Sequence, residues 1–158
     1  MLELTPTRVS VVSSLASPEA LAELETPEGA YLCWVAEDEV MLVGGPDTAD
    51  DVIGSARVAL SGADDDAVVL DVSDGWSAWT LSGAGTDDVL ERLSELKQTG
   101  DGYLQGDVAH VPVRLIALGE RLHLLVPAMW EEHLRLRIRN AAAGLDLRVS
   151  PEMDWSLA

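Results

Sequence analysis

Three features of the sequence predict an α+β fold. Strand-like runs come in adjacent pairs rather than in steady alternation with helices. Of the 158 residues, 47% are apolar, enough to bury a core. A hairpin, a proline and a helix with an acidic first turn recur at an offset of 81 residues, which sets Ala36 on Ala117, Glu39 on Glu120, Pro46 on Pro127, Asp50 on Glu131, Asp51 on Glu132 and Ile53 on Leu134. The expected organisation is one duplicated domain over residues 1–150, with pseudo-repeats of about 1–66 and 67–150, followed by a tail at 151–158.

The elements follow in order. Val9 to Ala16 is apolar and predicts the first strand. Ser17 can cap a helix whose first position suits Pro18, with Glu19 facing its positive end. That helix runs to about Glu25, before Thr26-Pro27-Glu28-Gly29. Tyr31–Val35 and Val40–Val43 predict a hairpin split by Glu37-Asp38-Glu39. Pro46-Asp47 opens a second helix, with Ala49, Val52, Ile53, Ala56 and Leu60 on one face. Ala67–Val72 and the segment from Trp76 to Leu81 predict two strands. Thr86 can cap a third helix, with Asp87 and Asp88 complementing its dipole, a stripe of Val89, Leu90, Leu93 and Leu96, and an end at Lys97 and Gly100. Strands are expected at Tyr103–Val108, Val113–Leu118 and Leu122–Val126, with a turn at Gly119-Glu120. Pro127 opens the last helix, which turns Trp130, Leu134, Ile138 and Ala141 inward and stops at Gly144. Leu145–Val149 closes as a strand.

Charge restricts the function. The formal net charge is −18. Residues 1–110 hold 4 basic and 22 acidic side chains, whereas residues 111–158 hold 6 of each. An acidic body of this kind argues against nucleic acid, whose phosphates need clustered Lys and Arg, and against anionic membrane surfaces. Arg114, Glu120 and Arg121 interrupt the most apolar stretch, so no membrane span is expected. The acidic N-terminus lacks the basic region of a signal peptide. Cys33, the single cysteine, fits a reducing compartment, and a cytoplasmic location is expected.

Few residues suggest chemistry. His110, His123 and His133 have no zinc-ligand spacing. Gly83-Ala84-Gly85-Thr86-Asp87-Asp88 starts like a phosphate-binding turn, but carboxylates stand where phosphate would need glycine and a positive helix end. No G-x-S-x-G nucleophile motif occurs. Asp64-Asp65-Asp66 lacks calcium-loop spacing. Trp76 and Trp79 stand three apart on one strand, so one faces the core and the other a surface or bulge, where it can anchor a partner. Trp155, in the tail, must dock on its own fold or on a neighbour. Glu131, Arg135 and Arg139 step by four as a helical ion-pair ladder, or present a basic docking surface.

The segment Asp71-Val72-Ser73-Asp74-Gly75-Trp76-Ser77-Ala78-Trp79-Thr80-Leu81-Ser82-Gly83, with Val89-Leu90-Glu91-Arg92-Leu93 after it, resembles the D-x-S…L-x-G…L-x-R-L signature of the folate-binding aminomethyltransferase superfamily. It resembles the gamma subunit family of heterotetrameric sarcosine oxidase more closely. Gly106–Arg114, Leu122–Pro127 and Trp130 to Ala142 extend the resemblance over roughly residues 67–145. The resemblance implies a duplicated folate-binding-type fold. Catalytic members carry an acidic pair just before the strand corresponding to Val113–Leu118, and here Val111 and Pro112 stand there. The family's asparagine after the next strand corresponds to Pro127, and a full transferase continues beyond the length seen here.

These departures imply a non-catalytic accessory subunit without a cofactor of its own. It would bind a larger flavin- and folate-dependent oxidase subunit, with Trp76, Trp79, Arg135, Arg139 and Trp155 as candidate interface residues. The alternative is a stand-alone folate-like ligand-binding protein, with Asp71, Trp76 and Trp79 lining a cleft. A stand-alone enzyme is the third reading, and no recognisable nucleophile or acid–base pair supports it.

Overall fold

The computed structural model describes residues 1–158. In chain order the elements are β1 (Leu2–Arg8), β2 (Ser10–Leu15), α1 (Pro18–Ala22), β3 (Tyr31–Ala36), β4 (Glu39–Gly44), α2 (Ala49–Ser61), β5 (Val68–Asp71), β6 (Trp76–Gly83), α3 (Thr86–Leu93), β7 (Gly102–Val108), β8 (Val111–Leu118), β9 (Arg121–Pro127), α4 (Glu131–Ala141), β10 (Leu147–Val149) and β11 (Met153–Asp154). The chain divides into two compact units. One comprises Met1–Thr7 with Asp74–Met153, the other Arg8–Ser73 with Asp154–Ala158. No helix is long and apolar enough to cross a membrane.

The smaller unit is built on a four-stranded antiparallel sheet in the order β3-β4-β2-β5. Its strand residues Val12, Val40, Leu42 and Val69 pack with Ala20 and Leu21 of α1 and Val52, Ala56 and Leu60 of α2. Full burial of each such branched side chain contributes roughly 1.5–3 kcal/mol. Ser17 caps α1 as expected, accepting the Ala20 N–H at 3.2 Å. The larger unit has the sheet order β10-β1-β6-β9-β8-β7, with β11 also paired to β1. Leu4, Trp79, Leu81, Val113, Leu115 and Leu124 form its core with Val89 and Leu90 of α3 and Leu134 and Ile138 of α4. Arg92 ties the two helices together, donating to the carbonyls of Ala141 at 2.6 Å and Ala143 at 3.2 Å, where α4 leaves its last carbonyls open.

The duplication is visible as an exchange. β1 precedes β2 but pairs with β6, and β5 precedes β6 but pairs with β2. Each copy therefore lends its first strand to the other copy's sheet. The division expected at residue 66/67 moves to 73/74 because β5 closes the first copy's sheet through Val12–Asp71 and Leu15–Val68.

Four local expectations change. A strand precedes the one expected at Val9–Ala16: β1 buries Leu2 and Leu4, while Pro6 masks its pattern. Helix α3 ends at Leu93, because Ser94 turns extended (φ −150°, ψ 153°) and its hydroxyl donates to the Asp107 carbonyl at 2.6 Å. Its N-terminus is Gly85 at φ 99° rather than a Thr86 cap, and the Thr86 hydroxyl instead donates to the Gly83 carbonyl at 2.9 Å. Helix α4 begins at Glu131, after a 3-10 turn over Ala128–Trp130, so Trp130 is displaced from the inward stripe and is 41% exposed.

Candidate functional site

One end of the larger unit's sheet gathers bulky apolar side chains. Trp76 opens β6 directly opposite Pro127, the last residue of β9. The 3-10 turn then presents Met129 and Trp130, 81% and 41% exposed. Pro112 is exposed near the start of β8, while Val111 before it is buried. Prolines at strand ends suit this geometry because a ladder that stops needs no further N–H donor. The Ser77 hydroxyl donates to Glu131 at 3.1 Å and ties β6 to the start of α4.

Side-chain contacts hold these groups in place. The Arg114 guanidinium lies over the Trp76 ring at 5.6 Å, a cation–π contact worth roughly 0.5–2 kcal/mol. Trp130 meets His133 edge to face, with ring centroids 5.9 Å apart. His133 in turn lies 3.1 Å through Nε2 from the Ala109 carbonyl, in the turn between β7 and β8. That turn places two non-glycine residues in the left-handed region, Ala109 at φ 53° and His110 at φ 66°. Its strain is offset by the Ala109 N–H donating to Leu93 at 2.8 Å.

A buried polar chain crosses the same sheet. The Thr7 hydroxyl donates to the Thr5 carbonyl at 3.2 Å. Thr80 must therefore donate to Thr7, at 2.6 Å, and His123 Nδ1–H to Thr80, at 2.8 Å. This order fixes the Nδ1–H tautomer. Burial, and secondarily the charge of Arg121, pull the His123 pKa from 6.5 down to about 4, so the ring is neutral. The chain joins the exchanged strand β1 to β6 and β9.

The sequence candidates separate. Trp76 and Trp79 do face opposite ways: Trp79 packs within the core cluster, where no ligand or partner reaches it, and Trp76 stands half-buried at the sheet end. Asp71 belongs to the smaller unit. Its carboxylate accepts the Ser73 hydroxyl at 2.5 Å and the Ser73 N–H at 3.0 Å, bonds that hold its pKa below the ordinary value. Trp155 is buried in this chain's own fold, with its backbone N–H donating to the Arg8 carbonyl at 2.9 Å. The ladder of fours does not form. Arg135 pairs with Glu132, three residues away, while Glu131 receives Ser77. That pairing raises the Arg135 pKa and lowers that of Glu132. Arg139, in the last turn of α4, is exposed and suits the negative helix end. Met129 and the exposed face of Trp130 were missed. Their signal was the proline at 127, which delays the helix and leaves a 3-10 turn.

No family model and no curated protein matches the chain. Among solved structures, a chain of heterotetrameric sarcosine oxidase from Corynebacterium sp. U-96, in complex with pyrrole 2-carboxylate, is similar over 90% of this chain and 84% of its own, with a TM-score of 0.77 and 20% identity. Glycine cleavage system aminomethyltransferase T from Bartonella henselae is similar over 96% of this chain, with a TM-score of 0.69 and 12% identity. This chain spans about half, 47%, of that protein's length. The likeness is one of fold: a duplicated α+β architecture of the aminomethyltransferase kind.

Proposed function

We propose that the chain is a non-catalytic accessory subunit, resembling the gamma subunit of sarcosine oxidase, that docks on a larger flavin- and folate-dependent oxidase subunit. One observation carries this reading. At the sheet end where the resemblance places the transferase's acidic pair and asparagine stand Val111, Pro112 and Pro127, with Trp76, Met129 and Trp130 around them. Valine and proline side chains cannot take up a proton. Exposed tryptophan and methionine beside prolines have the composition of an interface anchor. The likeness in fold to a chain of an oligomeric oxidase supports the same reading.

The test is co-purification of the tagged chain with large flavoprotein subunits in its host. Trp130→Ala is expected to weaken the complex by about 2 kcal/mol, roughly 30-fold, with the free chain's stability nearly unchanged. Deletion of the chain with oxidase assembly and activity intact would overturn the proposal.

A further inference from the structure

β5 forms one edge of the smaller unit's sheet. The Val72 N–H donates to the Val11 carbonyl at 2.9 Å, so residues 68, 70 and 72 direct their backbone groups toward β2. By alternation those of Val69 and Asp71 point outward. Only the Arg57 guanidinium reaches this edge, donating to the Val69 carbonyl at 3.3 Å. Val68 and Leu70 are 45% and 48% exposed, and Leu15, paired with Val68, continues the apolar strip. Arg57, Val58 and Leu60 bound a groove of about 500 Å³ alongside. The strand reads Val-Val-Leu-Asp and carries neither the lysine nor the proline that usually blunts an exposed edge.

The duplicated copy shows what such an edge accepts. β1, the counterpart of β5, has β10 lying parallel along its outer side, with Leu2 paired to Leu147, Glu3 to Arg148 and Leu4 to Val149. The Leu2 N–H donates to Asp146 at 2.9 Å and the Ser150 N–H to Leu4 at 3.0 Å, so residues 146, 148 and 150 make the ladder. The added strand is apolar, basic, apolar: Leu147 packs on the core and Arg148 Nε lies 3.6 Å from Glu3. No strand of this chain occupies the matching side of β5.

We propose that β5 is a docking edge for one extended segment of a partner protein, added as a parallel strand with apolar residues opposite Val69 and Asp71 and a cation opposite Leu70, the register that Leu147, Arg148 and Val149 take along Leu2, Glu3 and Leu4. Charge selects that occupant. The smaller unit carries 15 acidic and 2 basic side chains, with Asp64, Asp65, Asp66 and Asp71 close to the edge in sequence. Like charge disfavours a second copy of the chain, and a basic strand is attracted. The incoming backbone takes over the Val69 carbonyl from Arg57. This surface is separate from the tryptophan–proline sheet end and does not depend on which partner binds there.

The test uses the ¹⁵N-labelled full chain and, as probe, a synthetic peptide with the sequence of residues 144–151 (GLDLRVSP) at millimolar concentration. Amide shifts and about tenfold slower hydrogen exchange are expected at Val69 and Asp71. Both effects should disappear with a peptide N-methylated at its arginine, which lacks the ladder donor, and with Leu70→Lys or Val68→Lys. Both positions are half exposed, so these variants keep the fold. Trp130→Ala should bind the peptide normally, which separates this result from the oxidase-subunit reading. The proposal is overturned by unperturbed Val69 and Asp71 amides, by equal binding of the N-methylated peptide, or by sedimentation showing that the chain dimerises through this edge.

Discussion

His123 gives a pH dependence whose size follows from the structure. In the unfolded chain the ring takes a proton near 6.5; in the folded chain burial delays this to about 4. Between those values the unfolded state binds more protons, so stability falls as the pH falls. The contribution is fully present above about 6.5 and is lost by about 4. At 1.36 kcal/mol per pH unit, the loss amounts to about 3 kcal/mol. Acidification also neutralises carboxylates and relieves the repulsion within a chain of net charge −18, so the wild-type curve alone mixes two opposing effects. His123→Asn separates them: the amide can still donate to Thr80 but does not titrate. Urea unfolding of both proteins across this range is the assay. The wild type's stability relative to the variant should decline by about 3 kcal/mol from the upper to the lower limit. A constant difference between the two curves would refute the neutral, buried histidine.

Two further expectations concern backbone geometry. Gly83 sits at φ +91°, and a Cβ there would lie 2.2 Å from the Met1 carbonyl oxygen. Gly83→Ala should therefore cost about 2 kcal/mol and lower Tm on the order of 6 °C in thermal melts. His110 is exposed at φ 66°, so His110→Gly should relieve strain and stabilise the chain by roughly 0.5–1 kcal/mol in the same assay.

The sequence was most legible where a period repeats locally. The hairpins at β3–β4 and β8–β9 and the buried faces of α2 and α4 follow from alternation and helical spacing, and the offset of 81 exposed the duplication. What stayed hidden is non-local. Nothing in the run Thr5-Pro6-Thr7 announces a strand, because its buried threonines look polar and its proline looks like a breaker. Only the pairing of β1 with β6, more than seventy residues on, makes sense of them. The role of His123 was invisible for the same reason, since its partners Thr80 and Thr7 lie on two other strands. Trp130 was misplaced by one structural detail: a 3-10 turn between Pro127 and the helix rotates it out of the stripe that regular helical spacing assigns.

The two exposed surfaces differ in the kind of contact they can make, and this difference bears on function. At the sheet end, Pro112 and Pro127 have no N–H to offer, so a partner docking there would be recognised through side chains: two tryptophans, a methionine and the proline rings. At β5 the exposed side chains of Val68 and Leu70 are aliphatic, while the Val69 N–H and the Asp71 backbone point outward, so a partner would be recognised through its own main chain. The first surface suits the rigid face of a folded protein. The second suits an extended segment that orders on binding, drawn in by the acidic unit that carries it. A single large subunit with a basic terminal or loop segment could meet both requirements. Removing that segment should then weaken the complex without touching the contacts at Trp130, and Leu70→Lys and Trp130→Ala should weaken binding additively, since the two sites share no residues.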